Sequence, residues 1–194
     1  MTVDINAANK TLAGLRPFPV AITTVDGGFA NGLMSLSAGS ASIIPEAPRA
    51  MCGLTKYNMT HDMVLNSGVF VMHMLSAGDD EVDASMEILM TLGGSSGRDG
   101  DKIGKLRTKT GETGAPILLD AHSYVECRVI GSLDVQESTI FVGDVVASEV
   151  FSEAQRIKIG EAWGKLPEDW IEQYDANHVP QLQSAKDHRF GQKV

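Results

Sequence analysis

Residues 18–48, "FPVAITTVDGGFANGLMSLSAGSASIIPEAP", begin as two strands and end as something less ordinary. The first part is apolar and β-branched on both sides of Asp26-Gly27-Gly28. That spacing predicts a hairpin, because a two-residue turn needs positive φ and glycine adopts it without strain. From Gly32 onward the character changes. Leu33, Leu36, Ile43 and Ile44 remain apolar, but Ser35, Ser37, Ala38, Gly39, Ser40 and Ser42 stand between them, and the run breaks on Pro45 and Pro48. A core strand favours branched apolar side chains, and a surface loop would not be bracketed by four large apolar residues. The stretch predicts a strand whose backbone is approached by something other than packed side chains.

Upstream, "DINAANKTLAGL" predicts a short helix with Asp4 as N-cap and Leu12 and Leu15 turned inward. Downstream, "RAMCGLT" and "GVFVMHML" read as strands. Between them "KYNMTHDMVLNS" predicts a short helix opening near Asn58 or Thr60. "DDEVDASMEILMTLGG" is a helix with acids in its first turn, a stripe of Val82, Met86, Leu89 and Met90, and a stop at Gly93-Gly94. "SYVECRVIGSLDV" and "STIFVGDVVASEVF" alternate around "QE" and predict a long antiparallel hairpin. Six or seven short strands with this bias predict a mainly β protein with helical insertions, an antiparallel closed barrel rather than a parallel sheet. The barrel domain is placed at residues 1–151. Residues 152–194, with Trp163, Trp170 and Tyr174, form a helical or irregular extension packed on the barrel or on a partner chain.

The chain has 194 residues, 43% of them hydrophobic, with 20 glycines, which fits one turn-rich β domain. A net charge of −9 argues against nucleic acid, whose phosphates need a basic face. Cys52 and Cys127 lie far apart without metal or redox spacing and read as buried thiols. No signal peptide or apolar run of membrane length is visible, so the expectation is a cytoplasmic protein without membrane contact. No Walker loop, G-x-G-x-x-G, G-x-S-x-G or H-E-x-x-H occurs; "GEAWGKL" at Gly160 is one residue short of a phosphate loop and ends in Leu. Metal and classical hydrolase chemistry find no support.

Two polar stretches survive this screen. In "LTKYNMTHD", Lys56, Asn58, Thr60 and His61 gather cationic and hydroxyl donors at a helix start, the way an anion site is built. The plainer reading is a solvated connector with a threonine cap. In "GGSSGRDGDKIGKL", Arg98, Asp101 and Lys102 lie in a Gly/Ser loop, which would otherwise be a turn bearing surface charges.

Taken in order, these stretches resemble the flavin reductase-like family, the FMN-binding split β-barrels of antiparallel Greek-key type. The resemblance runs over about residues 17–151. It rests on the small-residue strand ending at Pro45, on Thr60 followed by Ser67-Gly68-Val69-Phe70, on Asp101-Lys102 ahead of Gly114-Ala115-Pro116, and on Phe141-Val142-Gly143-Asp144-Val145. It implies a homodimer that binds FMN, with FAD as the alternative, and reduces flavin with NADH or NADPH. Reduced flavin would pass to a partner monooxygenase; other members of the family are electron carriers with permanent FMN, and a non-catalytic flavin-binding module is the third alternative. The resemblance carries Ser35, Leu36, Ser37, Ala38, Ser40 and Ser42 to the flavin ring and ribityl chain. It carries Lys56, Asn58, Thr60 and His61 to the phosphate, and Arg98, Asp101 and Lys102 to the flavin or its interface. One departure is visible. Many members carry Gly-Asp-His before the last long strand, with the histidine associated with nicotinamide, whereas this chain has "VQESTIFVG" and no histidine there. His178 in the C-terminal extension is a substitute for it, and a polar surface role is the simpler reading of that residue.

Overall fold

The computed structural model describes residues 3–191. The opening hairpin forms as its glycines require: β1 (Val20–Asp26) pairs with β2 (Phe29–Ser35) from Val20↔Ser35 to Asp26↔Phe29. Gly27 and Gly28 take φ of 57° and 83°, the left-handed pair of a tight hairpin turn.

The chain continues through β3 (Ala38–Ser40), β4 (Arg49–Thr55), α2 (Met59–Ser67), which follows the N-terminal α1 (Ile5–Ala13), and β5 (Val69–Met74). Then come α3 (Val82–Gly94), a short β6–β7 pair (Thr108–Thr110, Pro116–Leu118), and the long hairpin β8 (Ser123–Asp134) and β9 (Ser138–Val150). It ends in α4 (Ile159–Trp163) and α5 (Glu168–Phe190). Seven strands make one antiparallel sheet in the order β2-β1-β5-β8-β9-β4-β3.

The two edge strands of that sheet, β2 and β3, are consecutive in the chain and separated only by Leu36 and Ser37. One strand therefore leaves the first edge and joins the last, curling the sheet on itself. No ladder joins β2 to β4; the seam is made by Gly53 N–H donating to Ser37 O (2.6 Å) and Ser35 Oγ donating to Gly53 O (3.3 Å). The barrel is thus split rather than closed by continuous pairing. A Cβ on Gly53 would stand 3.1 Å from Ser37 Cβ, so the seam closes only around small residues. The crossing accounts for Ser35 and Ser37; Gly32 instead lies against Ile22 O of β1.

Three buried clusters flank the curl, the smallest made of Val69, Val71, Ala115, Ile117 and Tyr124. Inside it Ile22, Leu33, Cys52, Leu54, Val64, Phe70, Cys127 and Phe141 pack together. Outside it Met86, Ile88, Leu89 and Leu92 of α3 cover Ala21 and Leu118, joined by Ile157, Ala162 and Leu166. Both cysteines are buried and free.

α1 corrects one expectation. Asp4 caps it as read, its carboxylate accepting from Ala7 N–H at 3.0 Å. Leu12 and Leu15, however, are 52% and 74% exposed, and no residue of α1 is buried. The helix has an apolar face that none of the described residues buries. Among the described residues no helix is long and apolar enough to cross a membrane.

Candidate functional site

A cleft of about 280 Å³ opens where β2, the start of α2, the end of α3 and the side of α5 meet. Its lining includes Asn31, Asn58, Thr60, Arg98, Lys102, Tyr174, His178 and Gln181.

Each wall follows from local sequence. Asn58 is extended and precedes α2, but its Nδ2 donates to Thr55 Oγ1 (2.6 Å), so no side chain caps the helix; the His61 N–H donates to Asn58 O (3.0 Å), which leaves those of Met59 and Thr60 without a side-chain cap. Thr60, in the first turn, accepts from Asn31 Nδ2 at 3.2 Å. Asn31 Oδ1 is buried and has no partner. The loop after α3 presses on this asparagine: a Cβ on Gly97 would come within 2.4–2.5 Å of its amide atoms. Only glycine lets the loop sit there.

The same loop brings two cations. Arg98 reaches across and donates from Nη1 to Tyr57 O at 2.9 Å. Lys102 is 5% exposed, with Nζ donating to Leu92 O (3.1 Å) and Ser95 O (2.8 Å) at the C-terminal end of α3. Those carbonyls are orphans of the helix end and attract a cation. No carboxylate pairs with this ammonium within 4.0 Å among the described residues. Burial pushes its pKa down to about 8, with Asp99 opposing weakly. A buried cation without a counter-ion, a second cation, a hydroxyl and uncapped helix N–H groups together form an anion-receiving environment.

The structure sorts the residues singled out by sequence into separate places. Asn58, Thr60, Arg98 and Lys102 share the cleft. Lys56 does not join them, because its Nζ is held by both carboxylate oxygens of Asp134 at 2.9 and 2.7 Å. His61 faces away from the cleft, 3% exposed, with Nδ1 on Asp62 (2.8 Å), Nε2 on Thr139 (2.9 Å) and its ring near Phe141. Asp101 accepts from Gly104 N–H (2.9 Å) and starts a 3-10 turn. Ser35 and Ser37 lie at the barrel seam. Leu36, Ala38 and Ser40 line a different, largely apolar groove of about 740 Å³, with Phe18, Val20, Met72, Met74 and Val145. Ser42 accepts from Ile44 N–H (3.0 Å) in the following turn.

Sequence reasoning missed Asn31, and it placed the C-terminal extension on the barrel without marking Tyr174 or Gln181 as cleft residues. An asparagine between strand residues is the one signal that could have marked Asn31. Tyr174 and Gln181 lie on a helix whose position depends on long-range contacts that no local pattern encodes. His178 was read as a surface residue; it is exposed but lines the cleft, stacked on Tyr174 at 5.9 Å. Two other buried polar groups serve packing. His73 accepts from Leu118 N–H through Nε2 (3.0 Å), and burial pushes its pKa down to about 3, so it is neutral. Glu126 accepts from Glu112 N–H (3.1 Å) and Thr113 N–H (2.9 Å) and fixes that loop.

The split, curled antiparallel sheet agrees with the comparison to known families: the flavin reductase like domain matches residues 14–159. The chain belongs to the flavin reductase like domain family. It is 34% identical over 107 residues to a protein of Archaeoglobus fulgidus described as a ferric-chelate reductase (NAD(P)H), covering 55% of this chain and 60% of that one. The chain therefore spans less than two thirds of this relative's length. An NADH:FAD oxidoreductase of Streptomyces globisporus C-1027 superposes with a TM-score of 0.63 at 21% identity, covering 80% of this chain and 90% of that one. An FMN-binding protein of Thermus thermophilus with bound p-hydroxybenzaldehyde gives 0.61 at 23% identity, covering 70% and 72%. At these identities the likeness is one of fold.

Proposed function

We propose that the protein is an NAD(P)H-dependent flavin reductase, that FMN rather than FAD is its flavin, and that the cleft receives the flavin's phosphate. The observation that carries this reading is Lys102: a buried ammonium with two carbonyl acceptors and no carboxylate is balanced when an anion binds. The donor set fits a phosphate. Thr60 would supply a hydroxyl, Arg98 and Lys102 charge, and the first N–H groups of α2 a positive helix end. The reading assigns the phosphate charge to Lys102 and Arg98 instead of Lys56, whose ammonium is committed to Asp134. Ser35, Ser37 and the small residues beyond them would take the ring end, where the seam keeps side chains short. Bound flavin supplies the hydride-accepting chemistry for a reduced nicotinamide. The chain's own residues need no acid or base for that step; they hold the flavin and limit water around it.

On this reading the protein is a cytoplasmic homodimer, and its reduced flavin passes to an acceptor such as a monooxygenase. Support for the dimer comes from apolar surface beside the small-residue strand. Leu36 and Val150 line the 740 Å³ groove and are 37% and 65% exposed, and Ile43 just after β3 is 99% exposed.

The deciding experiment is an anaerobic absorbance spectrum of the FMN-reconstituted protein before and after NADH and then NADPH. The proposal expects bleaching of the flavin band by at least one nucleotide, at catalytic ratios of protein to added FMN. A perturbed flavin spectrum that neither nucleotide bleaches would overturn the reductase reading in favour of a binding module.

A further inference from the structure

We propose that α5 is a lid over the anion cleft, closed in the ligand-free protein and displaced when flavin enters. This rests on the flavin reading above.

α5 has 23 residues and buries none of them. Its first turns are anchored. Trp170 donates from Nε1 to Met90 O (3.3 Å), its ring lies against Gly94, and Tyr174 stacks on it with centroids 5.3 Å apart. Beyond Tyr174 the attachment changes character. Asn177 Nδ2 donates to Gly94 O (3.2 Å), Gln181 Nε2 donates to Thr55 Oγ1 (2.9 Å), and Arg189 pairs with Glu137 (3.3 Å). Gly94 ends α3 on one wall of the cleft and Thr55 precedes α2 on the other. The second half of α5 therefore spans the mouth, fastened to both walls by side-chain hydrogen bonds, with one ion pair near its end.

Between the two fastenings on the cleft stands Pro180, inside the helix. Proline lacks the N–H that would bond the preceding turn and crowds its carbonyl, so the helix is weakest at the point where it crosses the cleft. A segment with few buried contacts and solvent-exposed hydrogen bonds opens at low cost.

The cleft beneath holds about 280 Å³ with α5 in place, room for the phosphate end of the flavin, so α5 bears on entry of the phosphate and not on room for the ring. A closed lid lowers the apparent affinity by the fraction of molecules that are open.

The test uses the whole chain carrying Asn177→Ala and Gln181→Ala, one exposed and one half-buried position, both outside the core. Stopped-flow quenching of FMN fluorescence should show the association rate constant rising about tenfold, with Kd falling by a similar factor, as expected for removing two latching hydrogen bonds. Hydrogen exchange of residues 175–190 in the ligand-free variant should also quicken about tenfold, while residues 168–174 stay protected. Unchanged association and unchanged exchange would overturn the lid. Weaker FMN binding by the variant would also overturn it, because these side chains would then belong to the site. Wild type that never quenches FMN would sink the flavin reading instead, and the exchange comparison would still decide whether the second half of α5 is latched.

Discussion

At the scale of single residues, Lys102 in the cleft and Lys56 outside it make opposite predictions. Lys102 is buried and unpaired with acid, and its pKa is pushed from 10.5 down to about 8. In the unfolded chain it would keep its proton to about 10.4. Between those values the unfolded state binds more protons, so stability of the ligand-free protein rises with pH there, by roughly 3 kcal/mol in all. Below pH 8 the full cost of the buried charge is present. Phosphate binding has the opposite sign: FMN needs the ammonium, so its affinity should fall as pH climbs past 8, while riboflavin, without phosphate, changes little. Lys102→Met should weaken FMN by about ten- to a hundredfold, the value of a charged hydrogen bond, and leave riboflavin nearly unaffected. Lys56→Ala should leave both ligands within about twofold, since it removes only an exposed pair with Asp134 worth under about 1 kcal/mol. Fluorescence titrations of both flavins against both variants at pH 7 and 9 check all of this. A large, FMN-specific loss in Lys56→Ala would return the phosphate to that residue.

At the scale of elements, the seam between β2, β3 and β4 is the most constrained feature. Gly53→Val would place a branched side chain against Ser37 Cβ, 3.1 Å from the nearest new atom, and backbone hydrogen bonds hold the two strands at that spacing. Such overpacking costs about 1–3 kcal/mol. Thermal melting should show Tm falling by roughly 3–10 °C, against little change for Ala at the exposed Ser37; equal melting of Gly53→Val and wild type would mean that the seam is not tight. Hairpins were legible in the sequence because their signals are local: Gly27-Gly28 fixes one turn and the alternation around Gln136-Glu137 the other. The small-residue strand was legible as unusual, but its cause was only partly so. Two strand edges meet at Gly53, and nothing near Ser37 in sequence announces a partner sixteen residues on. The cleft cations were visible as residue types. Which lysine faced the cleft was not, because Asp134, the residue that claims Lys56, lies 78 positions away. α1 failed for a related reason: periodicity marks an apolar face without saying which molecule covers it.

At the scale of the whole molecule, the apolar surface is the unfinished part of the fold. Leu12 and Leu15 on and after α1, Leu36 before β3, Ile43 and Ile44 after it, and Val150 at the end of β9 are all exposed. Leu15, Leu36 and Val150 border one groove whose floor includes Met72 and Met74 of β5. Single exposed apolar residues are ordinary, but a groove of this size lined by them marks an interaction surface. On the homodimer proposed above, a second copy of the chain is the partner for this groove. Two-fold pairing presents the same groove to itself, and a net charge of −9 is tolerated because the acids at 79, 80, 81, 83 and 87 lie near the start of α3, outside the groove lining. Light scattering at micromolar concentration should therefore give twice the 20.7 kDa chain mass. Val150→Asp, at an exposed position that cannot disturb the core, should shift the protein toward monomer by burying an unpaired charge in the interface. If the ring end of the flavin also reaches that interface, the same variant should lose FMN affinity in step with dimer content, and the loss should diminish as protein concentration rises. A protein that is monomeric throughout, or a Val150→Asp dimer as stable as wild type, would leave the groove without this partner.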